Sequence, residues 1–221
     1  QVHCVFDPGL KEQWLLVLTA HRFDVVFIQR KLFQPRYMAL LRRVARKIVF
    51  DHDDAIFLRA NGSTSRTRQR RYDAMLKAAD LVLAGNHYLA AKASESGKRI
   101  EVVPTCVELD RYQTVVDKMQ AVTLVWIGSQ STSRYLEKNR LNLEAIGRAF
   151  PEIQLKIISD STLQLANLKT INVAWSLDSE VTELGSCHIG IAPMVDDDWT
   201  RGKCALKVIQ YMAAGLPVIS S

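Results

Sequence analysis

The chain has 221 residues, 48% hydrophobic and 24% charged, the make-up of an ordinary globular protein with length for one large domain or two of common size. No apolar run approaches the ~20 residues that cross a bilayer, and the opening QVHCVFDPG has neither the charged start nor the apolar stretch of a signal peptide, so a cytoplasmic location is expected. Cys4, Cys106, Cys187 and Cys204 stand far apart with no CxxC pair, which argues against a disulfide framework or a zinc site and fits buried thiols in a reducing compartment.

Strand-like and helix-like segments then alternate. DVVFIQ (24–29) reads as a buried strand, and PRYMALLRRVAR (35–46) as an amphipathic helix opened by proline. KIVF (47–50) is a strand running into the acidic DHDD. A helix over 65–79, a strand at 81–84, a helix over 87–96 and a strand at 99–104 follow. Continuous rather than alternating apolar runs in this order predict a parallel sheet covered on both faces. TCVELDRYQTVVDKMQ (105–120) breaks the rhythm as a polar connector and places a boundary near residue 115. Alternation resumes with a strand at 123–129 and a helix over 132–150, with Leu136, Leu143, Ile146 and Phe150 on one face. Strands at 153–159 and 171–176, a helix at 179–185 and a strand at 188–193 come next. The closing GKCALKVIQYMAAGLPVISS (202–221) predicts a helix with Lys203 and Lys207 on one face, ended by Gly215 and Pro217 and followed by a short strand. The expected architecture is α/β: two Rossmann-like, doubly wound parallel-sheet modules, 1–115 and 116–221. The first lacks its opening strands and the second its last helix, so the chain reads as a piece of a longer protein.

The net charge of +6 is concentrated between residues 30 and 71, where Arg30, Lys31, Arg36, Arg42, Arg43, Arg46, Lys47, Arg59, Arg66, Arg68, Arg70 and Arg71 face only Asp51, Asp53 and Asp54. Such a stretch is either a solvated face or an attractor of anionic lipid, nucleic acid or a phosphorylated substrate; sparse aromatics count against single-stranded nucleic acid. In open α/β sheets ligands bind beyond the carboxyl ends of strands, and three such ends are distinctive. Gly128-Ser129-Gln130-Ser131-Thr132 joins a strand to a helix, either as an ordinary turn or as a phosphate loop with Ser131 and Thr132 as caps. Asp51, His52, Asp53 and Asp54 form either a group for hydroxyl orientation and proton transfer or an acidic cluster balancing nearby arginines. Asp196-Asp197-Asp198 is a weak metal candidate, because consecutive carboxylates point in different directions. Two lysines at the start of a helix oppose its dipole, which an anionic ligand would offset.

Five separated segments carry a family resemblance. KVIQYMAAGLPVISS (207–221) resembles the donor-site helix of nucleotide-sugar glycosyltransferases of GT-B architecture, glycosyltransferase family 4 (group 1), with its K-x-x-E-Y/A-M-A-x-G-x-P-V-I pattern. VFDHDDAIF (49–57) resembles a "yDiDDaif" segment of one bacterial branch. ADLVLAGNHYLA (79–90) and RIEVVPTCVELDRY (99–112) resemble interdomain-side segments, and LVWIGSQST (124–132) the strand and phosphate loop of the donor domain. Family members often carry two glutamates with seven residues between them; here Gly202 and Gln210 stand in their places, and Thr105-Cys106 replaces an Asn-Gly.

The resemblance implies a retaining glycosyltransferase moving a sugar from a UDP- or GDP-linked donor to a glycan or lipid-linked acceptor, without metal or cofactor and without a nucleic-acid partner. Residues 1–115 would then serve the acceptor and 116–221 the donor. Gly128, Ser129, Ser131, Thr132, Trp175, Arg201, Gly202, Lys203, Lys207 and Gln210 would hold the donor, while Asp51, His52 and Asp53 act in catalysis. A lipid-linked acceptor would bring residues 30–71 against anionic membrane. A second reading, prompted by the two lost glutamates, is a non-catalytic nucleotide-sugar or phosphate-binding relative.

Overall fold

The structure, a computed structural model, describes residues 2–221. These form two compact units. One runs to Thr105 and takes in Asp197–Cys204; the other comprises Cys106–Asp196 and Ala205–Ser221. A single boundary near residue 115 was the expectation, and the difference lies in the eight-residue excursion 197–204, which packs with the N-terminal residues.

The first unit holds a four-stranded parallel sheet whose strands follow chain order: β1 (Val26–Gln29), β2 (Ile48–His52), β3 (Leu81–Ala84) and β4 (Arg99–Val102). Helix α1 (Leu10–Thr19) precedes the sheet, and α2 (Pro35–Val44), α3 (Arg66–Ala78) and α4 (His87–Ser94) connect its strands. Each connecting helix starts where chemistry dictates. Pro35 fills the first turn of α2, the Ser65 hydroxyl caps α3, and Asn86 Oδ1 accepts from Leu89 N–H at 2.9 Å to cap α4. Met38 and Leu41, and Tyr72, Met75 and Leu76, keep helical spacing and form buried faces. Along β2, Ile48, Phe50 and His52 turn into the core while Val49 and Asp51 are half-buried.

The second unit holds β5 (Thr123–Ile127), β6 (Gln154–Ser159), β7 (Lys169–Ala174), β8 (Ile189–Ala192) and β9 (Val218–Ser220), all parallel, in the order β7-β6-β5-β8-β9. The chain winds outward from β5 to β7 and returns to the other side of β5 as β8. The crevice at the carboxyl ends of β5 and β8 is therefore the topological switch point. Leu124 and Trp126 face one core with Leu136, Leu143, Leu155 and Ile157; Val125 and Ile127 face another with Ile158, Leu184, Cys187 and Tyr211. Burial on both faces explains the continuous apolar strands.

Two helical expectations need correction. Residues 132–150 form two helices, α5 (Gln130–Lys138) and α6 (Arg140–Ala149), parted at Asn139, whose side-chain amide donates to the Tyr135 carbonyl at 2.9 Å. Leu136 and Leu143 are buried, whereas Phe150 is exposed. After α7 (Glu180–Gly185), the closing segment is also divided. A short helix α8 (Asp198–Arg201) is capped reciprocally by Asp197 and Thr200, and α9 (Leu206–Ala213) starts only after Ala205, which adopts left-handed φ 53 and ψ 29. Lys203 and Lys207 thus share no helix face: Lys203 belongs to the first unit and Lys207 to the second.

Candidate functional site

The carboxyl ends of β5, β6 and β7 open into a cavity of about 330 Å³ in the second unit, lined by Ile127, Gly128, Ser129, Asp160, Trp175, Glu180, Leu206, Lys207 and Gln210. Helix α9 brings one cation to it. The Lys207 ammonium lies 4.1 Å from the centre of the buried Trp126 ring and 3.3 Å from Thr132 Oγ1. Gly128 makes this approach possible: a Cβ there would meet Lys207 Nζ at 2.5 Å and the Trp126 ring at 2.7 Å. The helix is anchored from beneath by Tyr211, whose hydroxyl accepts from Ile127 N–H at 2.9 Å and donates to the Ile191 carbonyl at 3.2 Å.

The loop from Gly128 to Thr132 differs in detail from the expected caps. Ser129 is the N-cap residue of α5 but makes no side-chain cap bond; the Thr132 hydroxyl turns back to the Ser129 carbonyl, and Ser131 Oγ lies 2.8 Å from Ser129 Oγ. The Gln130 N–H is taken by the Asp160 carboxylate at 2.6 Å. An orphan donor at a helix start finds the nearest acceptor, and here that is the carboxylate following β6.

The far wall of the cavity is built on Glu180, only 4% exposed. Its Oε2 accepts from Trp175 Nε1 at 2.8 Å, and its Oε1 accepts from the Tyr112 hydroxyl and from Gln210 Nε2, each at 3.0 Å. Trp175 itself stays half-exposed. Burial, with the neighbouring Glu180 charge second, pushes the Tyr112 phenol up. The cavity therefore joins a cation to a rigid acceptor cluster. Asp160, Glu180 and Tyr112 were not singled out in the sequence. The place of Asp160 after a strand end was a usable signal; the buried Glu180 in SEVTELG had none.

In the first unit the carboxyl end of β2 carries a charged cluster. Arg30, in left-handed φ 54, reaches Asp53 at 3.0 Å and Asp54. Asp54, 9% exposed, also receives the Lys203 ammonium at 2.7 Å. Residues 201–204 are fixed by Asn86, whose amide donates to the Lys203 carbonyl at 3.0 Å and to the Arg201 carbonyl at 3.2 Å. Cys204 Sγ donates to the Asp53 carbonyl at 3.1 Å. Gly202 lies against Ala55, where a Cβ would come within 2.6 Å of the Ala55 methyl. Asp51 is half-buried, and burial, then the Asp53 charge, raises its carboxyl.

Gly128, Ser129, Trp175, Lys207 and Gln210 are brought together, with Thr132 held to Lys207 and Ser131 to Ser129. Arg201, Gly202 and Lys203 are built into the first unit instead, because Asn86, Ala55 and Asp54 hold them there. His52 is also displaced from the expected role. It is 0% exposed, stacked on Phe50 at 5.3 Å, and its Nε2 lies 3.3 Å from the Tyr72 hydroxyl. Burial holds its imidazole below the usual range; the ring is core, and substrate cannot reach it. Asp197 caps α8, and among the described residues no three His, Cys, Asp or Glu side chains converge as metal ligands. No helix among them is long and apolar enough to cross a membrane.

No family model matches the chain, and no curated protein matches it in sequence. Solved structures match its fold. An E. coli structure named for trehalose-6-phosphate and bound with UDP-2-fluoro glucose superposes with TM-score 0.70 at 13% identity, covering 96% of this chain and 62% of that one. A Burkholderia xenovorans α,α-trehalose-phosphate synthase (UDP-forming), in complex with glucose-6-phosphate, gives 0.69 at 12% identity, covering 95% and 61%. Anabaena HepE in complex with UDP gives 0.65 at 13% identity, covering 94% and 62%. The chain thus spans about three-fifths of the length of the structures it resembles. Its two parallel sheets have the Rossmann-like fold of GT-B proteins.

Proposed function

We propose that this chain is part of a nucleotide-sugar glycosyltransferase of the family 4 kind, and that the second unit binds the donor. One observation carries the reading: at the carboxyl ends of β5, β6 and β7, a single cavity sets Lys207 and the Gly128 backbone beside the acceptor cluster of Gln210 and Glu180. A nucleoside diphosphate needs cations and donors for its phosphates and acceptors for its sugar hydroxyls. Trp175 supplies an aromatic face for a base. The resemblance of the solved structures to this fold, two of them holding UDP or a UDP sugar, supports a UDP-linked donor.

In the proposed reaction the bond between the anomeric carbon and the β-phosphate oxygen breaks, and an acceptor hydroxyl oxygen bonds to that carbon with retention. The hydroxyl proton is lost, and a nucleoside diphosphate departs. Lys207 meets the charge developing on the leaving phosphate, a place where fixed cations are most effective. Asp51 and Asp53, part-exposed at the end of β2, are the acceptor-side candidates. The acceptor is a glycan or a lipid-linked sugar, and no metal is required. The test is calorimetry with UDP-, GDP- and ADP-sugars in EDTA, followed by transfer assays with the full-length protein. Binding that needs magnesium or manganese would overturn metal independence. Affinity without turnover would favour a non-catalytic binding relative, a reading that the packing of Gly202 on Ala55, where family members carry glutamate, keeps in view.

A further inference from the structure

Gln210 stands where the family pattern has glutamate, and the structure offers a reason. The Gln210 amide lies 3.0 Å from the buried Glu180 carboxylate, which also receives Tyr112 and Trp175. Gln210 Nε2 donates to Glu180 Oε1, so the amide turns its NH2 toward the carboxylate. Its carbonyl oxygen is then held away from Glu180, on a side chain that lines the cavity. A glutamate at 210 would set two carboxylates about 3 Å apart, where both cannot ionise freely.

We propose that Glu180 is a positioning residue: it locks the Gln210 amide so that its carbonyl oxygen is presented to the vicinal hydroxyls of a ribose. The ribose-reading acceptor on α9 is thus neutral, and its orientation is set from α7. This rests on the nucleotide reading of the cavity. Donors from three places (Tyr112 in the turn Leu109–Tyr112, Trp175 after β7 and Gln210 on α9) converge on one carboxylate, more than packing requires. Lys207 and Asp160 line the same cavity, and Arg111 faces Tyr112, so these are the other charges that any titration of the site must include.

The experiment compares UDP and GDP with their 2′-deoxy counterparts by calorimetry on the wild-type chain, Glu180→Gln, Gln210→Glu and the exchanged pair. Wild type should favour the ribonucleotide by about 3- to 10-fold, the worth of one neutral hydrogen bond. Glu180→Gln frees the amide to flip and should erase that preference while phosphate-driven binding persists. The exchanged pair should restore the preference, since glutamate at 210 would then accept from glutamine at 180. Gln210→Glu alone should lose nucleotide affinity relative to wild type as pH rises between about 5 and 8, the phosphate's own titration being common to both. This single variant keeps the proposal testable should Glu180→Gln fail to fold. A wild type that binds UDP and deoxy-UDP equally, or a Glu180→Gln that keeps the preference, overturns the proposal and leaves the nucleotide site standing. A wild type that binds neither nucleotide overturns both.

Discussion

Lys207→Ala is the substitution for which the structure permits the clearest forecast. The ammonium sits 4.1 Å above the Trp126 ring and 3.3 Å from Thr132 Oγ1, in a niche open to the cavity because residue 128 is glycine. Against a diphosphate it supplies a charge-assisted hydrogen bond, worth roughly 1.5–3 kcal/mol, or about 10- to 150-fold in Kd. The side chain also contributes to stability through its cation–π contact, about 0.5–2 kcal/mol. The alanine variant should therefore bind UDP or GDP weakly and melt slightly earlier. Lys207→Met separates the two effects, because it keeps an aliphatic stem over Trp126 and removes only the charge. Calorimetry of both variants, with thermal melts alongside, is the assay. Unchanged nucleotide affinity in a folded methionine variant would refute the reasoning and remove Lys207 from the site.

His52 should act on stability alone. Its imidazole is neutral in the fold and its pKa lies below the ordinary 6.5, so its contribution is full above that value and is lost as pH falls through it toward the depressed folded value. His52→Phe should flatten this acid loss in denaturant melts while leaving nucleotide affinity intact; a collapse in affinity would contradict its placement in the core. Asn86→Ala removes the α4 cap and the donor to the Arg201 and Lys203 carbonyls; it should cost about 1–2 kcal/mol and hasten proteolysis within 197–204, and unchanged cleavage there would count against the anchor. If the acceptor is lipid-linked, the exposed Arg36, Arg43, Arg66 and Arg70 should draw the chain to anionic vesicles, each cation near the surface adding ~1 kcal/mol. Equal sedimentation with neutral vesicles would favour a merely solvated face.

The sheets were legible because both faces of each are covered. Apolar runs such as LVWI suit strands buried on both faces, and Pro35, Ser65 and Asn86 mark helix starts by chemistry that acts within three residues. The break at Ala205 was not legible, because a left-handed alanine carries no local signature. Around it, Lys203 pairs with Asp54 in the first unit and Lys207 lines the cavity of the second, so the two lysines share no helix face. His52 was misplaced because DHDD looks uniformly polar, whereas β2 extends as far as His52 and alternation turns the imidazole inward. Glu180 was missed since its importance lies in three donors distant in sequence. Gly128, Trp175, Lys207 and Gln210, by contrast, follow strand ends or open the last helix, positions that topology alone brings to one crevice.

Nucleotide binding at the cavity of the second unit would be read directly from the indole signals of the chain's four tryptophans. Trp175 lines that cavity and Trp126 lies beneath Lys207, whereas Trp14 lies on α1 of the first unit. In a 15N-labelled chain titrated with a UDP-sugar in EDTA, the Nε1–H resonances of Trp175 and Trp126 should shift together and saturably while that of Trp14 stays fixed. If nucleotide is added to excess and neither Trp175 nor Trp126 moves, this cavity is not the donor site.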